Sequence, residues 1–260
     1  MAHKRWKDEP WATRPEVLLN DLEKLYRQAI KLGKVETVAK TTAKKAMAFR
    51  QWSEAVPMAR VIQAVEDLEM IYVPNGCGPG PAFLFPVRYM TGEVRRAHLR
   101  MMDESVYGFR YISLMNPEKF IGPGWSGNDE DTLEAIIQTG EVTLVEGPFD
   151  LVALRIAEPR LPSLCSLSKR MSDDHWDYLK ILGVERLYPM FDVEKSRQGE
   201  AAMDRMAATH REFQVMPLRC PAKDPSDALK HPAKFEALRR TLTEALPAAF
   251  AATFTLDDDE

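Results

Sequence analysis

Apolar positions in the first seventy residues recur at helical spacing. Leu18, Leu19, Leu22, Leu25, Tyr26, Ala29 and Ile30 share one face. Thr13 and Glu16 stand before them at capping-box spacing, Pro15 suits a first turn, and Gly33 suits a stop. A second helix is expected over residues 36–50. A third is expected around residues 58–68, where Met58, Val61, Ile62, Val65 and Leu68 align. Residues 74–81 (PNGCGPGP) then break the pattern with Gly and Pro, which marks a loop or a boundary. Short strand-like runs follow at 82–87, 94–101 and 110–114. A glycine-rich loop at 122–127 precedes a helix over 131–139.

From residue 141 strands and helices alternate. Strands are expected at 142–146, 163–167, 186–192 and 212–218, with helices at 149–157, 172–182 and 200–209 between them. A last helix spans 234–246. Strands separated by helices of this length form βαβ units and a mostly parallel sheet. The expected architecture is α/β. It comprises a helical segment (1–73), a mixed α+β subdomain (74–140), a mostly parallel sheet flanked by helices (141–232), and a C-terminal helix with an acidic tail (233–260).

Composition changes this picture little. The chain has 260 residues, a net charge of −4 and 45% apolar residues, as an ordinary globular protein does. Three cysteines, Cys77, Cys165 and Cys220, form no Cys-x-x-Cys pair, which excludes a four-cysteine zinc module and a disulfide scaffold. No apolar run nears the roughly 18 residues of a membrane span, and residues 1–10 lack an apolar signal core. A reduced cytoplasmic setting without membrane contact is expected. The distribution of charge says more than its total. Residues 1–60 carry 13 Lys and Arg against 7 Asp and Glu, so the remainder is strongly acidic. The basic segment is either a solvated helical face or a nucleic-acid contact.

The candidate chemistry lies where strands end in acids. The strand at 142–146 ends in Glu146 and runs into Gly147-Pro-Phe-Asp150. The strand at 186–192 ends in Asp192, followed by Val193-Glu194. If Val193 faces away, Asp192 and Glu194 share one side of the chain. Either acid alone could cap a helix. Together, at the carboxyl ends of strands in an α/β sheet, they repel one another unless a cation is bound. Hard oxygen donors favour Mg²⁺ or Mn²⁺.

The run VEGPFDLVAL (145–154) resembles the first motif of the Toprim family, a strand, Glu-Gly, two residues, Asp and an apolar helix. MFDVEKSRQGEAA (190–202) resembles its second, a strand and Asp-x-Asp before a glycine and small residues. Within that family the DnaG-type bacterial and phage primases are the nearest likeness. SLCSLSKRMSDDHWDY (163–178) resembles the segment joining their acidic motifs. Lys223-Asp-Pro-Ser-Asp227 resembles their Lys-Asp-Pro loop. Phe85-Pro-Val-Arg88, Gly92-Glu-Val94, Arg100 and the stretch from Arg110 to Pro117 resemble their N-terminal subdomain more loosely. The resemblance covers residues 83–230.

It implies a Toprim fold and metal-dependent nucleotidyl transfer that makes RNA primers from NTPs on single-stranded DNA. Glu146, Asp150, Asp192 and Glu194 would be catalytic. Glu146, Asp192, Glu194 and Asp224 would hold Mg²⁺ or Mn²⁺, with Asp227 nearby. Arg88, Arg100, Arg110, Lys119, Lys169, Arg170 and Lys223 would meet nucleotide or template phosphates. Two departures stand out. Glu194 replaces the usual Asp, and Gly199 comes two residues late. A zinc ribbon and a helicase-binding domain are missing, so a separate zinc-ribbon or helicase partner is expected. Two other readings compete, a Toprim nuclease and a non-catalytic accessory protein. Trp6, Trp11 and Trp52 are core packing or base-stacking platforms. The histidines show no ligand spacing, and Cys165 reads as a small buried apolar group.

Overall fold

The computed structural model describes residues 35–73, 81–88, 94–103, 110–115, 125–193 and 196–245. The expected helix at 13–33, Trp6, Trp11 and Cys77 lie outside them. Two helices open the described chain, α1 (Val35–Arg50) and α2 (Met58–Asp67). Strands β1 (Ile71–Val73), β2 (Ala82–Arg88), β3 (Val94–Met101) and β4 (Tyr111–Met115) follow. They form an antiparallel sheet in sequential order, with a register irregularity between Val87 and Arg88.

Next come α3 (Glu130–Thr139), β5 (Glu141–Val145), α4 (Pro148–Ala157), β6 (Ser163–Cys165), α5 (Asp173–Ile181), β7 (Arg186–Pro189), α6 (Gln198–Thr209) and β8 (Gln214–Val215). Helices α7 (Pro225–Ala228) and α8 (Pro232–Glu244) complete the described chain. The second sheet is parallel, in the order β6-β5-β7-β8. β5 is central and buried along its whole length, as strands covered on both faces are. Val142 and Leu144 point into a cluster with Leu179, Phe191 and Met206. Val145, one residue on, points into the opposite cluster with Phe149, Leu154 and Leu238. That alternation follows from the two-residue period of a strand.

Helix α4 is buried at every one of its ten positions. Its sequence PFDLVALRIA is apolar apart from Asp150 and Arg155, which suits a helix enclosed by neighbours. α1, α2, α7 and α8 cover it, in the same cluster as Phe83 and Phe85 of β2. Arg155, its one buried cation, donates to Asp129 Oδ2 at 3.2 Å and to Thr132 Oγ1. Asp129 also caps α3, accepting from the Thr132 N–H at 2.9 Å.

Trp125 and Ser126 tie the two sheets together. Trp125 exchanges backbone bonds with Arg88 at the end of β2, and Ser126 does so with Cys165 on the edge of the parallel sheet. The otherwise open edge strand β6 is thus covered by protein.

Several expected elements are shorter. The strand at 163–167 ends at Cys165, because Leu167 takes a left-handed φ of 59°. There Ser166 Oγ donates to the Ser168 carbonyl at 2.7 Å. The strand at 186–192 ends at Pro189, because its neighbour β5 has already turned at Gly147. The strand at 212–218 contracts to Gln214–Val215, although the Met216 and Leu218 N–H groups still reach β7 carbonyls. β1 and α7 were not expected; at three and four residues they carry no period to read. Among the described residues no helix is long and apolar enough to cross a membrane.

Candidate active site

The strand order creates the site. From β5 the chain crosses to β6 on one side, then returns to β7 on the other. The carboxyl ends of β5 and β7 therefore flank the point where the topology reverses, the usual crevice of an open α/β sheet. Glu146 follows β5, and Asp192 follows β7 by three residues.

Gly147 caps α4, and a Cβ there would press on Asp150 Oδ2. Its lack of a side chain lets the first turn of α4 place Asp150 under the crevice. Asp150 is 8% exposed and accepts the Ser226 N–H at 3.3 Å. Burial pushes its carboxyl well above the usual range, and the nearby Asp224 and Asp192 push it further. Arg50 and the Ser226 N–H oppose the rise.

Asp224 caps α7, accepting the Asp227 N–H at 2.6 Å, with Pro225 in the first helical position. The loop after β7 is clamped to this turn by the Val193 N–H, which donates to the Lys223 carbonyl at 2.7 Å. Gly199, in the first turn of α6, lies against the backbone of Asp192. A Cβ there would collide with the Asp192 carbonyl oxygen. Gly199 is thus required by its close approach to the Asp192 backbone.

Cations line the crevice. Lys169 Nζ is 3.5 Å from Glu146 Oε2. Lys223 Nζ is 3.9 Å from Asp192 Oδ2 and 3.7 Å from Asp224 Oδ2. Arg50 Nη2 is 3.9 Å from Asp224 Oδ1 and 3.7 Å from Asp227 Oδ1. The expected residues thus divide. Glu146, Asp150, Asp192, Asp224, Lys169 and Lys223 gather at one edge of the sheet. Glu194 and Lys119 lie outside the described residues. Arg170 is exposed, with its N–H on Ser168 Oγ at 3.0 Å. Among the described residues no group of three or more His, Cys, Asp or Glu is close enough to hold a metal.

The arginines of the antiparallel sheet are structurally engaged. Arg88 pairs with Glu69 beyond α2. Arg100 is 6% exposed, and Nη1 donates to the Met101 carbonyl at 2.9 Å and the Arg110 carbonyl at 3.2 Å. Its guanidinium stacks between the rings of Phe49 and Tyr111, 5.2 Å from each centroid. Arg110 is exposed. Burial pushes the Tyr111 hydroxyl up, and Asp150 raises it further, while Arg100 and Arg50 oppose the rise. Trp52 is buried and donates Nε1–H to the Ser226 carbonyl at 3.0 Å, so it packs rather than presents a ring for stacking.

Arg50 and Ser226 were missed from the sequence, whereas Trp52 packs, one of the two roles expected of it. Arg50 reads in the sequence as the last residue of an ordinary helix, and its partner Ser226 lies 176 residues away.

No family model matches this chain, and no curated protein matches it. Solved structures do. One is the RNA polymerase domain of Mycobacterium tuberculosis primase DnaG, in complex with a double-stranded DNA oligomer with a 6-nucleotide overhang. It matches with a TM-score of 0.59 and 17% identity over 81% of this chain and 79% of that one. Another is the Aquifex aeolicus primase, with its zinc-binding and RNA polymerase domains. Here the TM-score is 0.60 and the identity 19%, over 88% of this chain and 60% of that one. The E. coli primase catalytic core matches at 0.51 and 19%, over 86% and 79%. The chain therefore has the α/β fold of the DnaG-type primase RNA polymerase domain.

Proposed function

We propose that this chain is the polymerising core of a DnaG-type DNA primase, with a Toprim domain over 141–232, and that it makes RNA primers from NTPs on single-stranded DNA in the cytoplasm. One observation carries the reading. Glu146 and Asp192 stand at the ends of adjacent parallel strands, at the reversal point of a fold shared with primase polymerase domains.

The donors suit a hard divalent cation in chemical kind, although the described carboxylates do not yet stand close enough together to hold one. All are carboxylate oxygens, and the Lys223 ammonium already stands between Asp192 and Asp224 as a monovalent counter-charge. Asp192, Asp224 and Glu146, with Glu194, would hold Mg²⁺ or Mn²⁺. When bound, the ion stabilises charge on the phosphates in transfer.

The protein's own groups do the rest. Lys223 has a half-exposed side chain and is free to move from the carboxylates onto an NTP phosphate. Lys169 Nζ sets a positive charge 3.5 Å from Glu146 Oε2, the carboxylate that would serve as a base for the primer 3′-hydroxyl. Arg110 and Arg170 are exposed where template phosphates could meet them. Template choice falls to a separate zinc-ribbon or helicase protein.

The test is product formation from Mg²⁺, NTPs and single-stranded DNA. Short RNA made only when NTPs are present supports the reading, and Glu146→Gln should cut the yield at least about tenfold. Loss of DNA without NTPs would point to the nuclease instead.

A further inference from the structure

Ser226 is the meeting point of two distant parts of the chain. On one side its N–H is donated to Asp150 Oδ1. On the other it is gripped by the end of α1. Arg50 Nε donates to Ser226 Oγ at 2.8 Å. Trp52 Nε1 donates to the Ser226 carbonyl at 3.0 Å and to its Oγ at 3.2 Å. The Ser53 N–H reaches the Leu229 carbonyl at 2.9 Å. Gln51 permits the grip by turning the chain at a φ of 56°.

The guanidinium of Arg50 has three tasks at once. Nε holds Ser226, and Nη2 lies between Asp224 Oδ1 and Asp227 Oδ1. Its centre sits 5.4 Å from the centroid of the Phe149 ring, next to Asp150 on α4. A planar fork serves all three, whereas an ammonium is a single point charge.

We propose that Arg50 is a positioning residue for the nucleotidyl transfer: it pins the Asp224–Asp227 turn so that Asp224 stays beside Asp192 and the Ser226 N–H stays on Asp150. The proposal rests on the polymerase reading above. It gives the basic N-terminal helical segment a defined role at the acidic crevice.

The full chain carrying Arg50→Lys or Arg50→Gln tests this. Arg50→Lys keeps the charge and should stay within about 3 °C of the wild-type Tm. Without metal, its Ser226 and Asp227 amides should exchange with solvent at least about tenfold faster, read by NMR. At saturating Mg²⁺ its kcat should fall about 10- to 100-fold with the NTP KM within about twofold, the mark of a misplaced group rather than weaker binding. Wild-type exchange at both amides would overturn the proposal, and so would an undiminished kcat. Full rescue by Arg50→Lys of what Arg50→Gln loses would also overturn it, since charge alone would then suffice. If the wild type makes no primer, the polymerase reading fails, and the exchange rates still decide whether Arg50 pins the turn.

Discussion

Asp150 shows how surroundings decide the state of a single residue. Its carboxyl is buried beneath two other carboxylates, so the neutral form is favoured. A carboxyl raised in the folded state contributes stability that is fully present below its unfolded pKa. That stability is lost as pH rises through the elevated folded value. The metal-free protein should therefore lose Tm as pH climbs above the usual carboxylate range. Asp150→Asn should flatten that slope and raise Tm at pH 8, by about 2–4 °C for each kcal/mol of relieved charge burial. Thermal melts in EDTA from pH 5 to 8 measure both. Glu146 and Asp192 were legible in the sequence, because each follows an apolar strand, whereas Asp224 was suggested only by the resemblance of its Lys-Asp-Pro loop. The Lys169–Glu146 pair was half legible, from its place in the turn after β6. Arg50 and Ser226 were not, since a contact between residues 176 apart leaves no local period or motif.

Elements came through wherever packing imposed a period. β3 spans the expected Val94–Met101, and α3, α4 and α6 lie within two residues of their expected limits. The strands at the site were read too long. Their apolar residues continue past the ladder, where Met190 and Phe191 remain buried and the Met190 N–H still reaches the Leu144 carbonyl of β5. Gly199 is the sharpest test of how the second acidic loop meets its helix. Gly199→Ala would drive a methyl group into the Asp192 carbonyl. It should cost about 1–3 kcal/mol in denaturant unfolding and displace Asp192. α4 carries the largest packing load. Leu154 is fully buried there, and Leu154→Ala should cost about 2–5 kcal/mol by the same measurement.

At the scale of the whole molecule, the site is a product of topology. A parallel sheet whose order reverses between β5 and β7 leaves a crevice at their carboxyl ends, and the acids stand there. The end of α1 and the turn after it brace the floor of the crevice through Arg50 and Trp52. Alternation of strand and helix made the parallel sheet readable from the sequence. How α1 wraps onto the far end of the chain was not readable, because a helix face records that it is buried but not against what. The small net charge of −4 conceals the same division, a basic N-terminal part and an acidic remainder. The strand-end acids are proposed to form a metal-dependent nucleotidyl-transfer site. Its most direct test is incorporation of labelled NTP into RNA on single-stranded DNA, titrated with Mg²⁺, by the wild type and by Asp192→Ala side by side. Mg²⁺-dependent product is expected from the wild type, and at least about a hundredfold less from Asp192→Ala. Equal product from the two, or none from the wild type at any Mg²⁺ or Mn²⁺ concentration, would contradict the proposal.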